Sequence, residues 1–420
     1  MKRIWILNHY ASDMYFSEGG RHYYFAKYLK KMGYDPVIFC ANSRHNTRSE
    51  SCFKINDVFL EKVNTITKVP YVFIPVRTYE KNGISRVFNM IDFFRNVIRG
   101  AKQYGKQNGL PDVIIASSVH PLTLLAGIKL AQYFKVKCIC EIRDLWPESI
   151  IVYFDRFKRS NPIIKLLYFC EKYIYKKADS IIFTMKGGYD YIKERGWEQS
   201  IPSSKTYYIN NGVDLEQFVY NMKTFVINDS DLNNDEIFKV VYTGSIRKVN
   251  NLERLLDIAV AVNNPKIKFL VWGEGDELPK LKKRVLQQKI DNVVFKGKVE
   301  KKYIPYITSR ANLNFAHNSD SPLFRFGISF NKIFDYFAAG RPILCDFKAK
   351  YNPVIESNAG VFFSSNDERE IANGIESFAL MDKNELEKYC VSAKKAAEYY
   401  DFKNLTVELL GIINRTVKSV

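Results

Sequence analysis

Nearly continuous apolar runs alternate with amphipathic stretches along this chain, and the pattern is played twice. Arg3–His9, Asp35–Ala41, Tyr71–Val76, Asp112–Ser118, Lys137–Arg143 and Ser180–Met185 read as strands, with helical patterns such as Gly20–Gly33 and Pro121–Phe134 between them. A strand that is apolar along its whole length has both faces buried. Alternation with helices then gives a parallel sheet covered on two sides. Tyr207–Phe218 reads as a strand and a turn-rich loop, and the polar Asn228–Glu236 as a linker or exposed loop. The pattern then restarts at Lys239–Gly244, Lys268–Gly273, Asn292–Gly297, Ala311–His317, Pro342–Asp346 and Gly360–Ser364. The expectation is α/β, with two Rossmann-like domains over residues 1–205 and 206–395. Residues 396–420 form a closing helix that packs on its own domain or crosses back to the first.

At 420 residues the chain exceeds one ordinary core. No apolar run reaches the roughly 18 residues of a membrane span. The start, MKRIWILNHY, resembles a strand more than the apolar region of a signal peptide, so a soluble, cytoplasmic protein is expected. Seven cysteines, several in apolar runs, suit reduced, buried thiols. Cys138 and Cys140 lack the second pair or the nearby histidine that a zinc site needs. Residues 1–210 hold 33 Lys+Arg against 18 Asp+Glu, and residues 211–420 hold 30 against 27. The basic excess therefore belongs to the first half, which favours an anionic partner.

Two such domains facing a central cleft suggest a nucleotide-bearing ligand at the carboxyl ends of the strands. No complete GxGxxG opens either domain, so a dinucleotide site is poorly supported. Gly327–Pro342, GISFNKIFDYFAAGRP, reads as a short helix. Ser329 or Asn331 is expected to cap it, with Ile333, Phe334, Phe337 and Ala338 forming the apolar stripe. Gly340 permits a left-handed exit and Pro342 stops the helix. Lys332 and Asp335 fall off the stripe near the positive end. A helix start with a lysine can hold a diphosphate, and a carboxylate one turn on can accept two ribose hydroxyls. An ordinary solvated Lys–Asp pair fits that spacing as well.

The ordered segments NNGVDLEQF, VVYTGSIRKVNNLERLLD, FLVWGEGDELPKLKK, NVVFKGKVEKKYIPYITSRANLNFAH and GISFNKIFDYFAAGRPILCD together resemble the donor domain of retaining glycosyltransferases of family four. That family has the GT-B fold. GGRHYYFAKYLKKMGYDPVIF and EIRDLWPES resemble its branch for bacterial O-antigens, capsules and exopolysaccharides. The resemblance implies a loop at Gly19 and Gly20 close to the donor. It implies further donor contacts at Gly244, Ser245, Gly273, Gly327, Ile328 and Ser329. Arg247, Lys248 and Lys332 become candidates for the diphosphate charge, and Phe295, Gly297 and Val299 would hold the base. Asp335 takes the place of the second acid of the Glu-x7-Glu signature, the ribose ligand. The first acid falls at Gly327, which has no side chain, so backbone N–H groups of Gly327–Ser329 stand in for it.

Asp144 and Arg143 follow a strand end, as does His120, and these are the catalytic candidates; Ser118 and His22 are secondary ones. An Asx turn explains Asp144 and a helix-entry cap explains His120 in structural terms. Retention without a clear nucleophile implies that the departing diphosphate accepts the acceptor's proton, the protein supplying position and positive charge. The DSD at Asp229–Asp231 lies in the linker, so no metal or other cofactor is expected. Ser85–Gln107 and Tyr153–Lys177 mix aromatics and cations as interfacial helices do. Helices packed on the sheet with solvated charges would read the same way. The partners expected are a nucleotide-sugar donor, probed first as a UDP-sugar, a lipid-diphosphate-linked or other saccharide acceptor, and an anionic membrane surface at the inner face of the plasma membrane. A nucleotide-sugar epimerase is the rival enzyme. A nucleic-acid-binding protein, for which no motif speaks, and an inactive scaffold are the rivals outside catalysis.

Overall fold

The computed structural model describes residues 2–44, 51–79, 83–118, 120–153, 157–363 and 367–418. The chain forms two compact units, Met1–Asn210 with Phe402–Val420, and Asn211–Asp401.

The first unit is built on an eight-stranded sheet. Its strands are β1 (Arg3–Leu7), β2 (Asp35–Ala41), β3 (Leu60–Val63), β4 (Pro70–Ile74), β5 (Val113–Ser118), β6 (Lys137–Ile142), β7 (Ser180–Phe183) and β8 (Thr206–Tyr208), in the order β3-β4-β2-β1-β5-β6-β7-β8. Every pairing is parallel except β3 with β4. Ile4 on β1 sits between Pro36 of β2 and Val113 of β5. The connections leave β1 in one direction and resume at β5 in the other, so the loops after these two strands frame the switch point where such sheets bind ligands. Trp5, fully buried, packs its ring 4.8 Å from that of Phe39 and 5.4 Å from that of Phe134.

The second unit has six parallel strands, β9 (Phe238–Thr243), β10 (Ile267–Trp272), β11 (Val293–Gly297), β12 (Leu313–Ala316), β13 (Ile343–Cys345) and β14 (Gly360–Phe362), in the order β11-β10-β9-β12-β13-β14. Its switch point lies after β9 and β12. Leu255, Leu256, Phe269, Leu313, Phe315 and Ile375 lie in its main core cluster.

The structure moves one expected boundary and decides between two pairs of open alternatives. Thr206–Tyr208 extends the first sheet beside β7, so the boundary lies after Asn210 rather than at 205/206. The Phe402–Lys418 helix belongs to the first unit, where Phe402 stacks on Tyr24 at 5.0 Å between ring centroids. Asn228–Glu236 is not a linker between the units. Its Leu232 is buried in the second unit, and Asp229 and Asp231 both pair with Lys296 at 2.7 Å. Those two carboxylates therefore have a structural partner. Ser364, at the end of the last expected strand, lies outside the described residues, as do residues 154–156 of the second expected interfacial stretch.

Candidate functional site

In the second unit the Asn331–Ala339 helix begins at Phe330, and no side chain caps it. Neither Ser329 nor Asn331 plays the capping role expected from sequence. Asn331 is already helical and exposed, and the carbonyl of Ser329 is held by Asn211 Nδ2 at 3.0 Å. The Ile333 N–H donates to the Phe330 carbonyl at 3.1 Å, which leaves the Asn331 and Lys332 N–H groups for another partner. Ile333, Phe334, Tyr336 and Phe337 bury the inner face, and Gly340 takes the left-handed exit at φ 63°. The Thr243 N–H, at the end of β9, donates to the Tyr336 hydroxyl at 3.0 Å, which ties the helix to the strand.

Lys332 lies at the switch point itself. Its Nζ donates to the His317 carbonyl at 3.4 Å and stands 4.2 Å from the centre of the Tyr242 ring. A Cβ on Gly244 would come within 3.2 Å of that Nζ, so the glycine leaves the ammonium open to the loop. Lys332 is half-buried, and desolvation holds its ammonium down to about 8. Arg247 and Lys248 lie on the same loop but are exposed, as is Ser245, whose hydroxyl donates to Asn250 Oδ1 at 2.8 Å. Of the three candidate cations, Lys332 is the one set into the protein.

The loop after β9 is pressed onto the loop after β10. Gly273, at φ 158°, sits where a Cβ would fall 1.9 Å from the Gly244 carbonyl oxygen, so no side chain is possible there. The Gly273 N–H donates to the Gly297 carbonyl at 2.9 Å, joining the third strand end, where Phe295 and Val299 are half-buried. Gly327 is also left-handed, at φ 101°, and Ile328 beside it is buried. The Ser329 hydroxyl is buried without a hydrogen-bond partner among the described residues. Asp335 is half-buried, its carboxyl raised above the ordinary range by burial. No side chain among the described residues pairs with it.

In the first unit, Gly19 and Gly20 do not follow β1 directly, because a short helix, Ser12–Ser17, intervenes. Gly20, at φ 110°, opens the Arg21–Lys31 helix, whose first two residues reach a centre that sequence reading did not place. Glu141, on β6 and buried, accepts from Arg21 Nε at 2.7 Å, from His22 Nε2 at 2.9 Å and from the Ser117 hydroxyl at 2.8 Å. Asn8 accepts from the Tyr10 N–H at 3.0 Å, which fixes its amide. Its Nδ2 then donates to His22 Nδ1 at 2.7 Å, leaving Nε2–H for Glu141. Burial alone would raise the Glu141 carboxyl, but Arg21 and His22 beside it hold it well below the carboxylate range. The one signal in the sequence was a glutamate inside a continuous apolar strand, a charge that needs a partner.

His120 is buried after β5, and its Nε2 lies 2.7 Å from Nδ1 of His9, which follows β1. Burial pushes its imidazole down to about 3, so it is neutral. Ser118 accepts from the Arg143 N–H at 3.0 Å, setting the start of the loop that exposes Asp144. Thus His120, Ser118, Arg143 and the buried Glu141 centre gather at the strand ends around the first switch point. Among the described residues no group of three or more His, Cys, Asp or Glu stands at metal-binding spacing.

Residues 21–217 match the family described as Glycosyltransferase Family 4, and residues 224–397 match Glycosyl transferases group 1. The chain carries two glycosyltransferase domains. The family-four domain contains the Glu141 centre and His120, and the group 1 domain contains Lys332 and Asp335. The pair is similar over 100% of both chains to sucrose-phosphate synthase from Thermosynechococcus elongatus, at 17% identity and a TM-score of 0.70. The HepE protein of Anabaena, solved with UDP-glucose, matches at 13% identity and a TM-score of 0.64 over 99% of this chain and 100% of its own. The α,α-trehalose 6-phosphate synthase of Burkholderia multivorans matches at 12% identity and a TM-score of 0.67 over 99% of each chain. These likenesses give the GT-B fold. No curated protein matches this sequence.

Proposed function

We propose that this protein is a retaining glycosyltransferase that moves a hexosyl or N-acetylhexosaminyl group from a nucleotide-sugar, in the first instance a UDP-sugar, to a lipid-diphosphate-linked or other saccharide in bacterial surface polysaccharide synthesis. The observation that carries this reading is the placement of Lys332. It is the half-buried cation at the switch point of the group 1 domain, beside Gly244 and an uncapped helix start. A diphosphate there meets Lys332, the first N–H groups of the helix and the exposed Arg247 and Lys248. Asp335, one turn on, accepts the ribose hydroxyls. UDP-glucose in the Anabaena structure is consistent with such a donor.

The acceptor hydroxyl attacks the anomeric carbon as its bond to the diphosphate oxygen breaks. The proton passes to that oxygen, and the negative charge is met by Lys332 and the helix start. Asp144, Arg143 and His120 of the family-four domain belong to the acceptor and transfer step. Charge at the diphosphate comes from side chains, so no metal requirement is proposed.

The membrane part of the reading rests on exposure. On the Pro162–Lys177 helix, Ile163, Leu166, Phe169 and Tyr173 are 60, 59, 68 and 45% exposed, at helical spacing, with Lys165 and Lys176 exposed beside them. On the Ile84–Asn108 helix, Val87 and Phe88 are exposed, whereas Ile91, Phe94 and Ile98, the rest of the expected stripe, are half-buried, so that stripe only partly faces outward. Such a face fits an anionic leaflet. Among the described residues no helix is long and apolar enough to cross a membrane.

Thermal-shift screening with UDP, GDP and their sugars, followed by transfer to lipid-linked acceptors, tests the whole reading. UDP-sugar stabilisation with label entering the lipid fraction, anomeric configuration retained and EDTA without effect, is expected. Free epimerised sugar nucleotide without transfer would move the assignment to an epimerase.

A further inference from the structure

We propose that His317 is a positioning residue that locks the 244–251 loop and the Lys332 arm into the one arrangement able to hold a phosphate anion. The proposal deepens the reading above and rests on it for the ligand. His317 follows β12 and is fully buried. Its ring Nε2 lies 2.8 Å from the Asn251 carbonyl, which can only accept, so Nε2 carries a hydrogen. Its Nδ1 pairs with the carboxylate of Asp346, just past β13, and its own carbonyl receives Lys332 Nζ. One residue thus joins the end of the glycine-bearing loop, a neighbouring strand end and the cation.

Two features show what this joint opposes. Asn251 sits at φ 48° and ψ 49°, a left-handed conformation that disfavours a residue with a side chain, at the junction of the Lys248–Asn250 turn and the Leu252–Ala261 helix. The His317 ring holds its carbonyl in that conformation. Asp346 is buried, and its Oδ1 has no hydrogen-bond partner among the described residues. Its pairing rests on the His317 ring, and the Lys332 ammonium is the nearby charge that feels it. Without the ring, a buried lone carboxylate would capture Lys332 and draw it off the loop.

The test is His317→Gln in the full chain, read two ways. Binding of UDP is measured by calorimetry. The accessibility of Lys332 is followed by acetic-anhydride acylation and mass spectrometry across pH. We expect UDP affinity to fall about tenfold or more, and half-maximal acylation of Lys332 to move to higher pH. Adding Asn251→Gly, which removes the left-handed strain, recovers part of the affinity. Asp346→Asn leaves the ring an acceptor but removes the charge, and moves the acylation midpoint to lower pH; it serves as well if His317→Gln does not fold. Unchanged acylation and unchanged UDP affinity in both variants overturn the proposal. A shifted acylation profile in a protein whose wild type ignores UDP upholds the positioning role and overturns the donor assignment; no shift in such a protein overturns both.

Discussion

Arg21 and Glu141 form an ion pair with both side chains 2% exposed, and the same guanidinium donates to the carbonyls of Asn210 at 2.5 Å and Ile209 at 2.9 Å. The pair therefore fastens the segment that follows β8 to the centre of the first unit's sheet. Removing one partner of such a pair strands the other charge in the interior.

Glu141→Gln should destabilise the protein by about 3–5 kcal/mol, measured by urea unfolding at neutral pH. The pH dependence has a fixed sign. The folded carboxyl lies well below the unfolded one, so its contribution is complete above the unfolded value of about 4.3 and is lost as pH falls below it. The variant should show a shallower acid loss than the wild type. Equal acid slopes would refute the assignment.

Lys332 should titrate in the range where the enzyme is assayed. Its ammonium is held down to about 8, so it is charged below that pH and neutral above it. UDP affinity should fall as pH rises through 8. Lys332→Met should lower affinity at pH 7 by about tenfold or more and flatten the profile. A pH-independent affinity in the wild type would remove Lys332 from the phosphate site.

Asp335→Asn separates ribose from phosphate. It should weaken UDP binding by about tenfold while leaving inorganic pyrophosphate unaffected, both by calorimetry. Equal losses for the two ligands would show that the carboxylate acts on the helix rather than on the nucleotide.

Leu166→Ser with Phe169→Ser should release the protein from phosphatidylglycerol vesicles in flotation while leaving UDP binding intact. The two side chains together represent about 3 kcal/mol or more of apolar transfer if fully inserted. Binding to the vesicles should also weaken with salt, because the flanking lysines act through a screened field. Undiminished flotation of the double variant would place the contact elsewhere.

The sheets were legible because parallel strands buried on both faces leave continuous apolar runs. Asp35–Ala41 and Pro121–Phe134 appear with the bounds the pattern gives. The edge strand Leu60–Val63 was not legible. Its LEKV is half polar, and its partner across an antiparallel pairing is distant in kind from the crossover pattern. Thr206–Tyr208 reads as a strand, but nothing in three half-buried residues says which sheet it joins. In the site, Lys332 and Asp335 follow from helix periodicity, whereas the Glu141 centre and the His317 joint do not. Both depend on strand order, which brings residues far apart in sequence to one buried point. The missing helix cap has a similar lesson. Capping rules assume that the first N–H groups need a side-chain partner from the chain, and here the Asn331 and Lys332 N–H groups have none.

The return of Phe402–Lys418 to the Arg21–Lys31 helix has a consequence for how the molecule is made. During synthesis the first sheet emerges from the ribosome long before the segment that covers it. The second unit, contiguous from Asn211 to Asp401, is by contrast able to close as soon as it is out. A C-terminal truncation by a few turns would thus harm the oldest part of the polypeptide, and a soluble first unit is to be sought by grafting the tail onto residue 210 rather than by stopping there.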